Sequence, residues 1–340
     1  MYTPYKHSRI IFVTFTIVAY LVLFYRPPVA VADRSNGSET LGRSGQLLFT
    51  TPEEALREMR AALKREDGAR MVEIFGRQSA KIFITGDPID DAIALRTLSQ
   101  KFDQRAELFP VISEEYKNEQ WYLIRYATEG WNMHVPLVNR GKGWSFATEY
   151  ATQADLRARK SLNEVAVVDT LLALVKAQEE YRSRDHDGDG VYEYAQHFIS
   201  TRGTRDGLYW SVREGEPSSP LGGIVARAIQ DGYRLAGKNT PYGGYLYRIL
   251  TKQGGKTRGG ARTFLVDGKL TDNFVIFAYP IEWGASGDAS FLVAKDGQVW
   301  KRDFGPRTDR IAPDIDSMNL DYQWVRAVPH LGGKNSRSNW

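Results

Sequence analysis

Twice along this chain, helical periodicity gives way to runs of alternating β-branched and aromatic residues. That order limits the fold to α+β, with helices laid on antiparallel sheet in two successive blocks. In the first block, Thr51-Pro52-Glu53-Glu54 is a capping box with proline at the first helical position. It predicts a helix to about Arg65, with Ala55, Leu56, Met59, Ala62 and Leu63 on one face and Asp67-Gly68 as its stop. A short helix over 69–75 and a longer one over 87–104 follow, the latter with Ile89, Ile93, Leu95 and Leu98 inward. The period then changes to two. Strands are expected at 120–127, 132–139 and 144–148, with Arg140-Gly141-Lys142-Gly143 turning the last pair into a hairpin.

The second block repeats the order. Polar, basic residues 152–160 read as a connection, and a long helix from Leu162 to Arg184 follows. Leu162, Val165, Val168, Leu172, Val175 and Ala177 form its expected apolar stripe. After a Gly/Pro-rich stretch over 202–223 and a short helix over 221–234, strands are expected at 243–251, 261–266, 273–280, 288–295 and 297–303. Asp267-Gly268 and Asp296-Gly297 are hairpin signals among them. The division expected is 49–150 for the first domain and 151–330 for the second, with 33–48 as a disordered linker and 331–340 as a disordered tail.

Residues 10–24, IIFVTFTIVAYLVLF, are an apolar run preceded by Lys6 and Arg9 and followed by Ala30-Val31-Ala32. This is the pattern of a secretory signal peptide over 1–32, cleaved after Ala32. The alternative is an uncleaved N-terminal anchor, the only part of the chain expected to meet a membrane. Both readings put the body outside the cytosol, in the periplasm or secreted. The chain has no cysteine, so disulfides, thiolate nucleophiles and Cys-ligated metals are excluded. Of its net charge of +4, Lys6, Arg9 and Arg26 account for three within the leader, leaving +1 on the rest. A near-neutral body argues against nucleic acid as a partner.

The strongest chemical signal is DHDGDG at 185–190. Asp185, Asp187 and Asp189 alternate and Gly190 permits a sharp turn, so the carboxylates converge as a hard cation such as Ca²⁺ requires. Val191 stands where a calcium loop offers a backbone carbonyl, and Glu193 where it offers a side chain or a water. The twelfth position is Gln196 rather than a bidentate Glu, so this is the first half of an EF-hand loop, closed by Glu193 if it closes at all. The expected cofactor is a structural Ca²⁺. The alternative is a helix end and turn whose acids are neutralised by Arg182 and Arg184.

Other motifs carry less. Gly254-Gly255-Lys256-Thr257 lacks the upstream glycine of a phosphate loop, because position 250 is Leu. Gly284-Ala285-Ser286-Gly287 lacks nucleophile-elbow spacing and reads as a tight connection. His134 falls in a predicted strand and reads as a packing residue, and His186 and His197 read as bystanders to the acidic loop. Glu282 and Asp288 are a carboxylate pair whose separation one dimension does not reveal. The aromatic cluster of Tyr209, Trp210, Tyr242, Tyr245, Tyr247, Tyr279 and Trp283 fills a core or stacks on sugars. No catalytic residue is assigned.

Several segments together carry a resemblance. They are Asn163-Glu164, Ala177-Gln178, Tyr181, DHDGDGVYEYA at 185–195, DGLYW at 206–210, EPSSPLG at 216–222, GYLYRIL at 244–250, and the closing segment 274–305. With the helix start at Thr50, they make residues 48–328 resemble the exported bacterial family called domain of unknown function 2950. The resemblance implies export and a two-part layout and brings no activity. The first block also resembles the cone-shaped fold of nuclear transport factor 2. The second weakly resembles the periplasmic part of type IV pilins and pseudopilins, some of which carry Ca²⁺ loops. The function expected is a non-enzymatic envelope protein that binds or assembles with an envelope protein. The second expectation is a cell-wall glycan-binding protein or hydrolase with an interdomain cleft.

Overall fold

The computed structural model describes residues 46–327 apart from 112–118, 129–130, 151–152, 214, 232 and 234–239. The leader, most of the expected linker and the expected tail lie outside the described residues. The linker's last residues are bound to the protein: the Gln46 side-chain amide donates to Ile74 and Phe146 carbonyls, and Leu47 N donates to Glu73 O. No described helix is long and apolar enough to cross a membrane.

The first block folds as helices α1 (Pro52–Lys64), α2 (Gly68–Phe75), α3 (Ala80–Phe83) and α4 (Pro88–Gln104). They lie against a sheet of β1 (Ala106–Val111), β2 (Gln120–Tyr126), β3 (Trp131–Asn132), β4 (Leu137–Asn139) and β5 (Trp144–Phe146). The path is β1-β2-β4-β5, all antiparallel, with β3 on the end of β2. Thr51 caps α1 as its sequence predicts, its hydroxyl accepting from Glu54 N. The returning bond from Glu54 goes to Thr50 N rather than to the cap residue's own amide. Met59, Leu63, Met71, Phe75, Phe102 and Phe146 fill the core between the layers, and Phe102 stacks on Tyr126 at 4.6 Å. His134 sits in the bend between β3 and β4, half-buried, not in a strand as expected.

The second block begins earlier than its sequence suggests. Residues 153–160, expected as part of a connection, are helical: α5 runs from Gln153 to Arg182. Its buried face is Val167, Val168, Leu171, Leu174, Ala177, Gln178 and Tyr181, while Val165, expected inward, is exposed. Short strands β6 (His197–Ile199) and β7 (Gly207–Tyr209) pair in parallel, followed by α6 (Gly222–Gln230). Then come β8 (Tyr245–Leu250), β9 (Lys252–Gln253), β10 (Arg262–Thr263), β11 (Leu265–Val266), β12 (Lys269–Leu270), β13 (Val275–Pro280), β14 (Ala289–Ala294) and β15 (Val299–Asp303). The single-turn helix α7 (Thr308–Ile311) and β16 (Val325–Arg326) complete the order. The main sheet is β16-β15-β14-β13-β8, antiparallel throughout. All six residues of β13 are buried, so this strand is covered on both faces.

The helix α5 is fixed to the second core by polar side chains at both ends. The Asn163 amide donates to Ser286 O at 2.9 Å, and Glu164 Oε1 accepts from Asp288 N and Ala289 N at 3.1 Å each. Near the other end the Gln178 amide closes a two-way pair with the Ala195 backbone, at 2.8 and 2.9 Å. The segment those bonds to Ser286 and Ala289 hold is tight, because at Gly287 a Cβ would overlap the Tyr245 hydroxyl. Gln178 is fully buried, so truncating it strands one backbone N–H and one C=O. Gln178→Ala is expected to lower unfolding stability by about 2–4 kcal/mol, read from the urea midpoint at unchanged slope. A loss under about 0.5 kcal/mol would mean the pair contributes nothing beyond what water supplies.

Candidate functional site

The acidic loop leaves the C-terminal end of α5 and is wound by its own carboxylates. Asp185 accepts backbone N–H bonds from Gly188 and Gly190, both at 2.8 Å, and Asp189 Oδ1 accepts from Val191 N at 2.9 Å. Gly188 and Gly190 have φ of 80° and 85°, the left-handed region that glycine enters without strain. A Cβ at either would meet nothing within 4 Å, so glycine is needed there for its backbone freedom and not for space. One carboxylate oxygen from each of Asp185, Asp187 and Asp189 lies within 4.8 Å of the others.

The cation that meets this group is Lys269, which sequence reasoning missed. Its ammonium is 2.8 Å from Asp187 Oδ2, bonds Asp189 Oδ2, and lies 3.8 Å from Glu193 Oε1. Arg182, expected to neutralise the loop, instead donates to Tyr194 OH at 2.9 Å and lies over that ring. The delivery of Lys269 is built from the turn upward. Asp267 and Gly268 have φ of 50° and 81°, reversing β11 into β12. Tyr194 N donates to Leu270 O and the Gln196 side chain donates to Gly268 O, docking that hairpin beside the loop. Gln196, the twelfth loop position, therefore spends its amide N–H on the hairpin.

The electrostatics follow from these contacts. Backbone N–H groups of Gly190 and Gly188 hold Asp185 below the usual carboxylate range, and Lys269 followed by Val191 N does the same for Asp189. Burial holds Glu193 above that range, with Asp187 and Asp189 adding to the rise against the pull of Lys269. Hydrogen bonds to Asp187 and Asp189 raise Lys269. So the structure brings Asp185, Asp187 and Asp189 together, ties Glu193 to them through Lys269, and engages Val191 through its amide. His186 stacks on Tyr181 at 4.2 Å with its Nε2 3.0 Å from Tyr181 O, and packs edge-on to Trp210. Burial lowers its affinity for a proton. His197 is exposed.

The other candidates are placed as follows. Asp288 is paired with Lys160 at 2.6 Å, and Glu282 faces Lys81 at 4.0 Å, so each carboxylate has a cation of its own. Ser286 exchanges hydrogen bonds with the Glu282 backbone, closing a tight connection. Tyr245 and Tyr279 are buried in the second core. A cleft of about 400 Å³ opens between the 254–257 turn, the end of β15 and the 311–324 segment. Phe304, Trp324, Ile311 and Ile315 form its apolar side and Lys256, Arg302, Asp314, Asn319 and Asp321 its polar side.

The model of the family described as "Protein of unknown function (DUF2950)" matches residues 46–327. No curated protein and no solved structure matches the chain.

Proposed function

The chain belongs to that family, and from its own residues we propose an exported, non-enzymatic binding or assembly module of the cell envelope, stabilised by a cation at the 185–193 loop. Export rests on the leader at 1–32. In this reading residues 49–150 are a cone-like domain of the nuclear transport factor 2 kind and 151–330 a pilin-like domain, used as a soluble module. The two larger hydrophobic clusters, one in each block, support that division.

The observation that carries the cation is the convergence of three carboxylates on one small volume. Hard oxygen donors on a glycine-punctuated loop suit Ca²⁺. Asp185, Asp187, Asp189 and Glu193 would hold it, with Val191 offering its carbonyl. Lys269 stands as the built-in competitor, so binding exchanges an ammonium for the metal. Thermal unfolding in excess CaCl₂ against EDTA tests this. Ligand at about 100 times its Kd stabilises by about 2.7 kcal/mol, a rise of roughly 5–10 °C here. The rise is expected to vanish in Asp187→Ala and to grow in Lys269→Met, which removes the competitor. Equal midpoints with CaCl₂ and EDTA in both the wild type and Lys269→Met would leave the loop as a lysine-bound turn.

The cleft beside Trp324, which lies within the second block and not between the two domains as expected, favours a second reading, a cell-wall glycan as ligand. Its mixture of aromatic floor and alternating donors and acceptors suits a sugar, and its size falls in the range of ligand pockets. Titration with soluble peptidoglycan fragments is expected to change tryptophan fluorescence saturably, and Asp321→Ala to weaken the response. A linear, non-saturating response in the wild type contradicts this reading.

A further inference from the structure

The first turn of α4 is where the two cores meet, and it carries a charge imbalance. Asp87, its N-cap residue, is fully buried and accepts four hydrogen bonds. Two come from its own turn, Ile89 N and Asp90 N at 3.2 Å. Two cross to the second core's segments, Tyr233 OH at 2.9 Å and Gly244 N at 3.0 Å. Asp91 accepts from Thr85 N, Thr85 Oγ1 and Arg159, at 2.8 to 2.9 Å. Arg159 comes from α5 and also bonds the Ile82 carbonyl. Asp90, 9% exposed, has a single side-chain bond among the described residues, to the same Arg159 at 3.4 Å.

Of these three buried carboxylates, Asp90 and Asp91 thus share one guanidinium. Asp87 and Asp91 are solvated as anions by four and three donors, and the helix dipole adds about half a positive charge at this end of α4. Asp90 has neither. As an anion it would sit buried, with one long bond, beside two other anions. We propose that Asp90 keeps a proton in the folded protein at neutral pH, and that this proton latches α4 onto α5 and the second core. Losing it under alkaline conditions loosens the junction. In the exported reading given above, ambient pH would reach this latch directly.

The surroundings agree. Burial is the first cause raising Asp90, with Asp87 and Asp91 adding to it and Arg159 opposing. From α5 the facing cation is Arg159, and the neighbouring Lys160 is taken by Asp288. From α3 the nearest charge is Lys81, paired with Glu282. Tyr233 stays a protonated donor, raised by burial and then by Asp87, and Tyr247 of β8 is raised by burial. Asp90 is therefore the group that changes charge as pH rises. Its folded value lies above its unfolded value, so its stability contribution is full below the unfolded carboxylate range and is lost as pH climbs through the folded value.

The test is urea unfolding of the purified protein at pH 6, 7.5 and 9, with Asp90→Asn and Asp91→Asn. Asn at 90 keeps the shape and neutrality of the acid. Between the ordinary carboxylate range and the folded value, the wild-type folding constant falls by up to about tenfold per pH unit, and above the folded value it levels off. Asp90→Asn is expected to flatten that profile and to exceed the wild type at pH 9. Asp91→Asn, which removes a solvated anion from Arg159, is expected to weaken folding at every pH. Hydrogen exchange at the Gly244 amide, corrected for the intrinsic rate, should quicken at pH 9 in the wild type and not in Asp90→Asn. A wild type flat across this range, a variant whose profile runs parallel to it, or Asp90→Asn as damaged as Asp91→Asn would overturn the proposal. None of these results depends on where the protein is exported.

Discussion

The 30-residue helix α5 is the member on which both halves of this protein hang. At about 1.5 Å per residue it is roughly 45 Å long, enough to reach from one core across the other. Near its start Arg159 is buried between Asp91, Asp90 and the Ile82 carbonyl of the first block. Further along, Asn163 and Glu164 hold the turn before β14, and Gln178 holds the strand-like segment after the acidic loop. Each of these side chains satisfies backbone or charged groups that would otherwise be buried unpaired, and such groups cost more to strand than their bonds return. The helix is therefore located by a few polar contacts as much as by its apolar face.

The acidic loop is an extension of the same device. Because Gln178 fixes Ala195 and Tyr194 fixes Leu270, the loop and the β11–β12 hairpin are held face to face, and Lys269 is carried into the carboxylates. A positive centre is required there, since Asp187, Asp189 and Glu193 repel one another without one. An ammonium supplied by the chain and a divalent ion supplied by the medium answer the same electrostatic need. They differ in strength: the metal draws in oxygens from all sides, while the lysine reaches in from one.

Local signals are legible in the sequence because they act locally. The Thr51 cap, the 140–143 and 296–297 turns and the strands at 275–280 and 289–294 all follow from nearest-neighbour chemistry. The family resemblance is also legible, and the structure shows what several residues of the segments that carry it do: Asn163, Glu164, Gln178 and Tyr181 are anchors of α5. Pairings across the chain were not legible. Residues 152–160 look like a linker because they are polar and basic, yet Arg159 and Lys160 are polar for the sake of distant partners, Asp91 and Asp288. The apolar pattern of α5 fails at Val165 for the same reason, since the polar anchors, not the apolar count, set its rotation. Lys269 lies in another hairpin, and nothing in its neighbourhood announces the loop it serves. The acids at the start of α4 resemble ordinary first-turn charges, and only the donors each meets in the fold set Asp90 apart.

If α5 unites the two cores, they should unfold together. Differential scanning calorimetry of the purified protein measures this directly, through the ratio of calorimetric to van't Hoff enthalpy. A single transition with a ratio near about 1 is the result this account predicts. Two separable transitions in the wild type would contradict it, and would mean that the contacts of Arg159 and Asp87 across the junction are too weak to couple the cores.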